Sequence, residues 1–344
     1  MNVTKTADEA LKEVKQQLQV AIKLEHSTIP PYLYAFWSLK DHRSDLASAI
    51  LTVVKEEMLH MALTCNLLNA LGGDANLKSG SFIPDYPTAL PAHDQTRDPF
   101  IVSLEKCGVE AIVSFMHIEL PRELGIAPEE EPEVGTIGEF YKRIISNLRL
   151  LSDKHFQNGG QLGKDFAPYK SGILFEINSQ KEAIKAISEI LEQGEGRSLK
   201  SHFQNSEASH YSRFVKIYNE MGGKGSVKEH HFNSAELIEC VDMEKYREFL
   251  SGVKNVVSNP KQSHSSYENC SIANRRFNSV YSRMLDYLHE AFGCGNPDLS
   301  RAIQAMFNLT RPALEVMSIP VDPAKPLNGF CGPTFEYLTD DERI

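Results

Sequence analysis

Glu57-Met58-Leu59-His60 and Glu207-Ala208-Ser209-His210 decide how this chain is to be read, because each sets an acid and an imidazole three residues apart where a helix calls for apolar side chains. Around the first pair the 3,4 line of a helix runs Ile50, Val53, Glu57, His60, Thr64, Leu67, Leu71. Around the second it runs Phe203, Glu207, His210, Phe214, Ile217, Met221, so both pairs fall mid-helix on a buried stripe. The first helical stretch follows Leu11, Val14, Leu18, Ala21, Glu25, Thr28, Tyr32, Ala35, Leu39, and Glu25 interrupts it in the same way.

A buried carboxylate without a partner costs several kcal/mol or shifts its pKa until it is neutral, so three inward acids and two inward histidines need one explanation. Shared cations supply it. Residues three apart on a helix stand about 5 to 6 Å apart at Cβ, close enough to hold one metal or bracket two. Two Glu-x-x-His pairs on different helices, joined by acids from two others, are how a helical bundle builds a metal site in its own core. The bland alternative, solvated charges and a hydrogen-bonded core histidine, must account for the same displacement three times.

A turn near Asp41 to Arg43 places Glu25 as far before the turn as Glu57 lies after it, so antiparallel packing sets them level. A second turn centred near Ser201 does the same for Glu195 and Glu207, which makes Glu195 the first choice for a fourth acid. Glu192 lies about 100° round that helix and is an alternative. Glu139 is another, although it opens a helix whose stripe, Ile137, Phe140, Ile144, Leu148, leaves it off centre, and a first-turn acid is favoured by the helix dipole alone. Glu119, near the end of a helix expected over Pro99 to Leu120, is one further acid. Four carboxylates and two imidazoles without a thiolate suit iron first and manganese second. Tyr32, one helical line beyond Glu25, and Tyr211, beside His210, are candidates for a catalytic role behind the ligands.

The rest of the chain reads as an all-α protein with long connections. Helical patterns cover 5–39, where Pro30-Pro31 is expected to kink or break the helix, and 43–72. Loop insertions follow at about 73–98, a lid in prospect, and at 156–178, with a short hairpin expected there. Residues 1–224 are expected to form the bundle with the metal site. Residues 225–344 are expected to form an extension packed on it, with helices over Ala273 to Ala291 and Pro297 to Met317 and a Pro-rich tail. The 344 residues, 41% of them hydrophobic, suffice for one large core. A net charge of -10 with scattered acids offers no nucleic-acid surface. No apolar run suggests a membrane span or signal peptide, so the expected address is cytoplasmic. The six cysteines have no paired spacing and read as free thiols.

Leu24-Glu-His-Ser-Thr-Ile-Pro-Pro-Tyr32, Glu56-Glu-Met-Leu-His-Met61, Glu192-Gln-Gly-Glu-Gly196 and Ser209-His-Tyr-Ser-Arg-Phe214 resemble the ferritin-like superfamily of di-iron and di-manganese carboxylate proteins. More narrowly they resemble the ferritin-like domain of iminophenylpyruvate dimer synthases of violacein- and rebeccamycin-type bisindole biosynthesis, and the likeness continues through Ala273-Asn-Arg-Arg-Phe-Asn278 and Gly332-Pro-Thr-Phe335. The resemblance implies a ferritin-like four-helix bundle and an oxidoreductase or oxidative synthase of natural-product biosynthesis that couples imines of a small, amino-acid-derived substrate. It also implies O2 as co-substrate and a homodimer. A haem is associated with some members; the chain has no Cys-x-x-Cys-His motif, which leaves only a non-covalent haem as an alternative. The competing functional class is a metal-binding, ferroxidase-type or catalytically silent ferritin-like protein, since a fold hosts many chemistries.

Overall fold

The computed structural model describes residues 5–78, 80–91, 100–120, 137–156, 159–163, 172–194, 209–224, 234–261, 268–293, 298–325 and 329–344. Helix α1 (Ala7–Ser38) starts from a capping box in which the Thr6 side chain accepts from the Glu9 backbone N–H and the Glu9 carboxylate accepts from the Thr6 N–H. Helix α2 (Asp45–Ala70) starts from Ser44, whose hydroxyl accepts from the Ala47 N–H. The two form the expected antiparallel hairpin.

Pro30 and Pro31 do not break α1, contrary to the sequence expectation. Each proline removes an N–H and frees the carbonyl four residues back. The carbonyl freed by Pro31 is that of Ser27, and the Tyr86 hydroxyl donates to it at 2.9 Å. Tertiary packing thus replaces the missing helical bond.

Four shorter helices complete the bundle: α3 (Val109–Ile118), α4 (Ile137–Leu148), α5 (Gln180–Gly194) and α6 (His210–Glu220). Both α3 and α4 pack along α1, both α5 and α6 along α2, with α3 against α6 and α4 against α5. The arrangement is a four-column bundle in which two columns are single long helices and two are described in two pieces. Helix α3 is shorter than expected, because Ile101–Val102 instead pairs as a strand (β2) with Thr88–Ala89 (β1), and Gly108 caps the helix start. Helix α6 starts at His210, with the Ser209 hydroxyl accepting from the Ser212 N–H, so His210 opens a helix and does not lie in the middle of one. No strand forms among the described residues of 156–178.

The first half of α1 buries one stripe, whereas every residue from Leu24 to Ser38 is buried. The covering layer comes from late in the chain. Helices α7 (Ser234–Glu239) and α8 (Met243–Ser251) precede α9 (Glu268–Gly293), α10 (Ser300–Asn308) and α11 (Thr310–Val316). Helix α9 packs on α2 and α11 on α1. Trp37 of α1 meets Phe277 edge-on at 5.8 Å and stacks on Phe335 at 5.9 Å between ring centroids. The tail is pinned to α9 by Asn274 and Asn278, one turn apart: Asn274 Oδ1 accepts from the Thr334 N–H and Asn278 Oδ1 from the Glu336 N–H. Cys270 and Cys331 form a disulfide across this junction, a correction to the free-thiol reading. The partners are 61 residues apart in sequence, and only the folded tail brings them together. Among the described residues no helix is long and apolar enough to cross a membrane.

Candidate metal centre

Glu25, Glu57 and His60 meet at the core of the α1/α2 hairpin, each nearly inaccessible to solvent. His60 Nδ1 lies 3.5 Å from Glu25 Oε2 and 3.8 Å from Glu57 Oε1. Glu57 is also part of a second group, because His210 Nδ1 lies 2.9 Å from Glu57 Oε1 and 3.4 Å from Glu119 Oε2. The donor atoms of each group, Glu25/Glu57/His60 and Glu57/Glu119/His210, lie within 4.8 Å of one another. Two triads therefore share one acid, and their imidazoles stack with centroids 5.6 Å apart.

The bundle architecture explains where this cluster sits. Its cavity, about 30 Å3, is walled by Glu25 and Thr28 of α1, Glu57 and His60 of α2, and side chains at the end of α3, the start of α4 and the end of α5. His210 enters from the first position of α6. The centre thus lies at the level where the two-piece columns change from one helix to the next.

The outward nitrogen of each imidazole is spoken for. His60 Nε2 donates to Gln193 Oε1 at 2.7 Å, and His210 Nε2 donates to Glu56 Oε2 at 2.8 Å. Arg213 anchors Glu56 in turn, its Nη2 donating to Glu56 Oε1 at 3.2 Å and its Nη1 to the other oxygen. With Nε2 committed to these acceptors, Nδ1 of each ring faces the acids, where a proton holds the place a metal would take, the orientation in which a histidine ligates a metal. Among the described residues the buried His210 Nδ1 makes no hydrogen bond of acceptable geometry despite its two near carboxylates. The acids are held as firmly. Tyr32 donates to Glu119 Oε1 at 2.7 Å, Tyr141 donates to Glu25, and Thr28 donates to Glu57 Oε2 at 3.0 Å.

With protons as the only cations, the cluster holds several of them far from their ordinary range. Burial, then the charges of Glu119 and Glu25, push the Glu57 carboxyl up to about 8. Burial depresses His60, but hydrogen bonding and charge from Glu25, then the charge of Glu57, outweigh it and raise the ring to about 9. Burial likewise opposes protonation of His210, and Glu119 leads the interactions that raise it above the usual range. Burial raises Glu25, yet its interactions with His60 prevail and hold it below the ordinary value. Hard carboxylate oxygens and inward imidazole nitrogens, held by other side chains and compensated by displaceable protons, fit iron or manganese.

The sequence-derived residues divide as follows. Glu25, Glu57, His60 and His210 come together. Glu195 and Glu207 lie outside the described residues. Glu192 is exposed and Glu139 half-buried, and neither joins the two groups, whereas Glu119 does. Glu119 lies four residues after Phe115 and seven after Ile112, so it falls on the apolar stripe of α3, which was the signal available in the sequence. Tyr32 touches the cluster through Glu119, whereas the Tyr211 hydroxyl is buried with no hydrogen-bond partner among the described residues. Sequence reasoning missed Glu56, Arg213, Tyr141 and Gln193. Glu56 is on the same helical line as His60, and Arg213 stands one turn after His210.

A model of the ferritin-like family matches residues 18–219, more than half of the chain and the span that carries all these side chains. The chain belongs to the ferritin-like family. The ferritin-like chain is 23% identical to dichlorochromopyrrolate synthase of Lentzea aerocolonigenes, an alignment that takes in 94% of this chain and 36% of the relative. It therefore spans about a third of that protein's length. The fold matches the crystal structure of a ferritin-like protein from Caulobacter vibrioides with a TM-score of 0.61, covering 88% of this chain and 93% of that one at 23% identity.

Proposed function

We propose that this ferritin-like protein is a non-haem di-metal enzyme, with iron as the first choice and manganese the second, that performs an oxidative reaction on a small amino-acid-derived substrate with O2. The observation that carries the reading is the pair of buried triads sharing Glu57, each with its histidine Nδ1 turned inward. Glu25 and His60 would hold one ion, Glu119 and His210 the other, and Glu57 would bridge them. Glu207, on its Glu-x-x-His spacing, and Glu195 are further proposed ligands. A bound ferrous pair would supply two electrons for reducing O2. The chain's own contribution is to orient the acids through Tyr141, Tyr32 and Thr28, to orient the imidazoles through Gln193 and Glu56, and to exclude bulk water. The cavity is too small for a macrocycle, so a haem would need another place.

Support for a biosynthetic reaction comes from the relative that is named a synthase, and imine coupling is the reaction proposed within that class. A homodimer and a cytoplasmic address belong to the same proposal. A second reading, ferroxidase-type metal handling, is favoured by one observation: a cavity of about 30 Å3 admits ions and O2 but not an amino-acid-sized molecule. The test is O2 uptake by the iron-loaded protein with Fe(II) alone and with aromatic amino-acid-derived imines. Uptake stoichiometric with substrate over many turnovers supports the enzyme. Uptake that follows only added Fe(II) supports metal handling, and protein that binds no iron or manganese removes both.

A further inference from the structure

On the other side of the α1/α2 hairpin from the carboxylate cluster lies a larger cavity of about 110 Å3. Helix α1 turns Glu25 to the cluster and the next residue, His26, to this cavity; α2 does the same with Glu57 and Met58. The far wall comes from α9, α10 and the tail, through residues such as Met284, Ala302, Met306 and Phe335. His26, Tyr281 and Lys55 are the polar side chains among its lining residues. The rest is aliphatic, aromatic or methionine. Four methionines (58, 61, 284 and 306) give a soft wall that adapts to flat rings and makes favourable sulfur to aromatic contacts.

His26 is what makes this more than a packing void. It is 2% exposed and stacks on Phe82 with ring centroids 4.7 Å apart. Its Nε2 lies 3.0 Å from the Tyr281 hydroxyl, and its Nδ1 is buried without a hydrogen-bond partner among the described residues. Among the described residues Nε2 is the acceptor within reach of the Tyr281 hydroxyl. Its proton goes there, which places the ring's own proton on Nδ1 as an unmet donor. Buried donors in native proteins find partners, and an apolar cavity with one convergent polar group is the usual form of a small-molecule site.

We propose that this cavity is a ligand site separate from the metal centre, taking a neutral molecule of about one aromatic ring that carries a hydrogen-bond acceptor for His26 Nδ1. The size follows from the volume: an engineered apolar cavity of about 150 Å3 binds benzene, so 110 Å3 accommodates one ring when the methionines adjust.

The test compares acetophenone with ethylbenzene, nearly isosteric probes that differ by the acceptor, using calorimetric titration of the 344-residue chain after iron loading and again after chelation. Acetophenone should bind one per chain and about tenfold more tightly than ethylbenzene, with or without metal. Ala302→Phe, which projects a ring into the cavity from α10, should abolish binding of both probes and leave the metal content unchanged. His26→Phe should keep ethylbenzene binding and remove the preference for acetophenone. Should that variant not fold, Tyr281→Phe, which no longer holds the Nδ1 tautomer, should shrink the preference. Lack of saturable acetophenone binding, binding that survives Ala302→Phe, or equal affinity for the two probes in the unmutated protein would overturn the proposal. None of these results bears on iron at the carboxylate cluster, so its fate and that of the proposed function are read separately.

Discussion

Glu57→Gln should make the metal-free protein more stable near neutral pH while stripping it of metal. In the folded chain the Glu57 carboxyl is raised from 4.5 to about 8, so between those values the folded state holds a proton that the unfolded chain releases. Its contribution to stability is therefore complete below about pH 4.5 and is lost as pH rises through about 8. At about 1.4 kcal/mol per pH unit, the loss reaches about 3 kcal/mol by pH 7 and about 5 kcal/mol in full. Glutamine has nearly the same shape, stays neutral at every pH and can still accept from Thr28, so the variant lacks this share of the slope. Urea denaturation of both proteins after chelation, at pH 5, 6, 7 and 8, would read the difference, and metal analysis after iron loading would read occupancy. Because Glu57 belongs to both triads, iron should fall at both positions, to well under half of the unmutated content. Equal iron content in the variant, or an unchanged pH slope of stability, would refute the shared-acid geometry.

Three further outcomes are expected. Metal binding must displace protons from Glu57 at about 8, His60 at about 9 and the raised His210, so apparent affinity should climb from pH 6 to about 9 with measurable proton release; a flat profile in a competition titration would contradict this. Glu119→Gln should lower iron content by at least half, since Glu119 Oε2 stands 3.4 Å from His210 Nδ1; iron content equal to that of the unmutated protein in metal analysis would remove Glu119 from the centre. Cys270→Ser should lower stability by about 4 kcal/mol, the loop-closure entropy for a separation of 61 residues, seen as a lower melting temperature that added reductant no longer changes.

The pairing of Glu25 with Glu57 and His60 was legible because α1 and α2 are long, regular and joined by a short turn, so periodicity fixes the faces and residue counting fixes the level. The same reasoning was less complete for the second half of the bundle, where Glu119 joins the cluster and the first choice, Glu195, lies outside the described residues. It treated the stretch around His210 as mid-helix, although the described part of that column starts at His210 itself, and it gave Glu139 and Glu192 a role that their positions do not support. Pro30-Pro31 misled for a related reason: a proline penalty is local, but its relief by Tyr86 comes from 59 residues away.

What the sequence alone determined is therefore the helical class, the α1/α2 hairpin and the kind of atoms gathered in its core, because these depend on a repeat of about 3.6 residues and on the cost of burying charge. Tertiary structure decided that Glu119 completes the second triad, that Glu56 and Arg213 stand behind His210, that Asn274 and Asn278 clasp the tail, and that Cys270 meets Cys331. Each of these joins segments far apart in the chain, and their meeting is set by how whole helices pack, which no local repeat encodes.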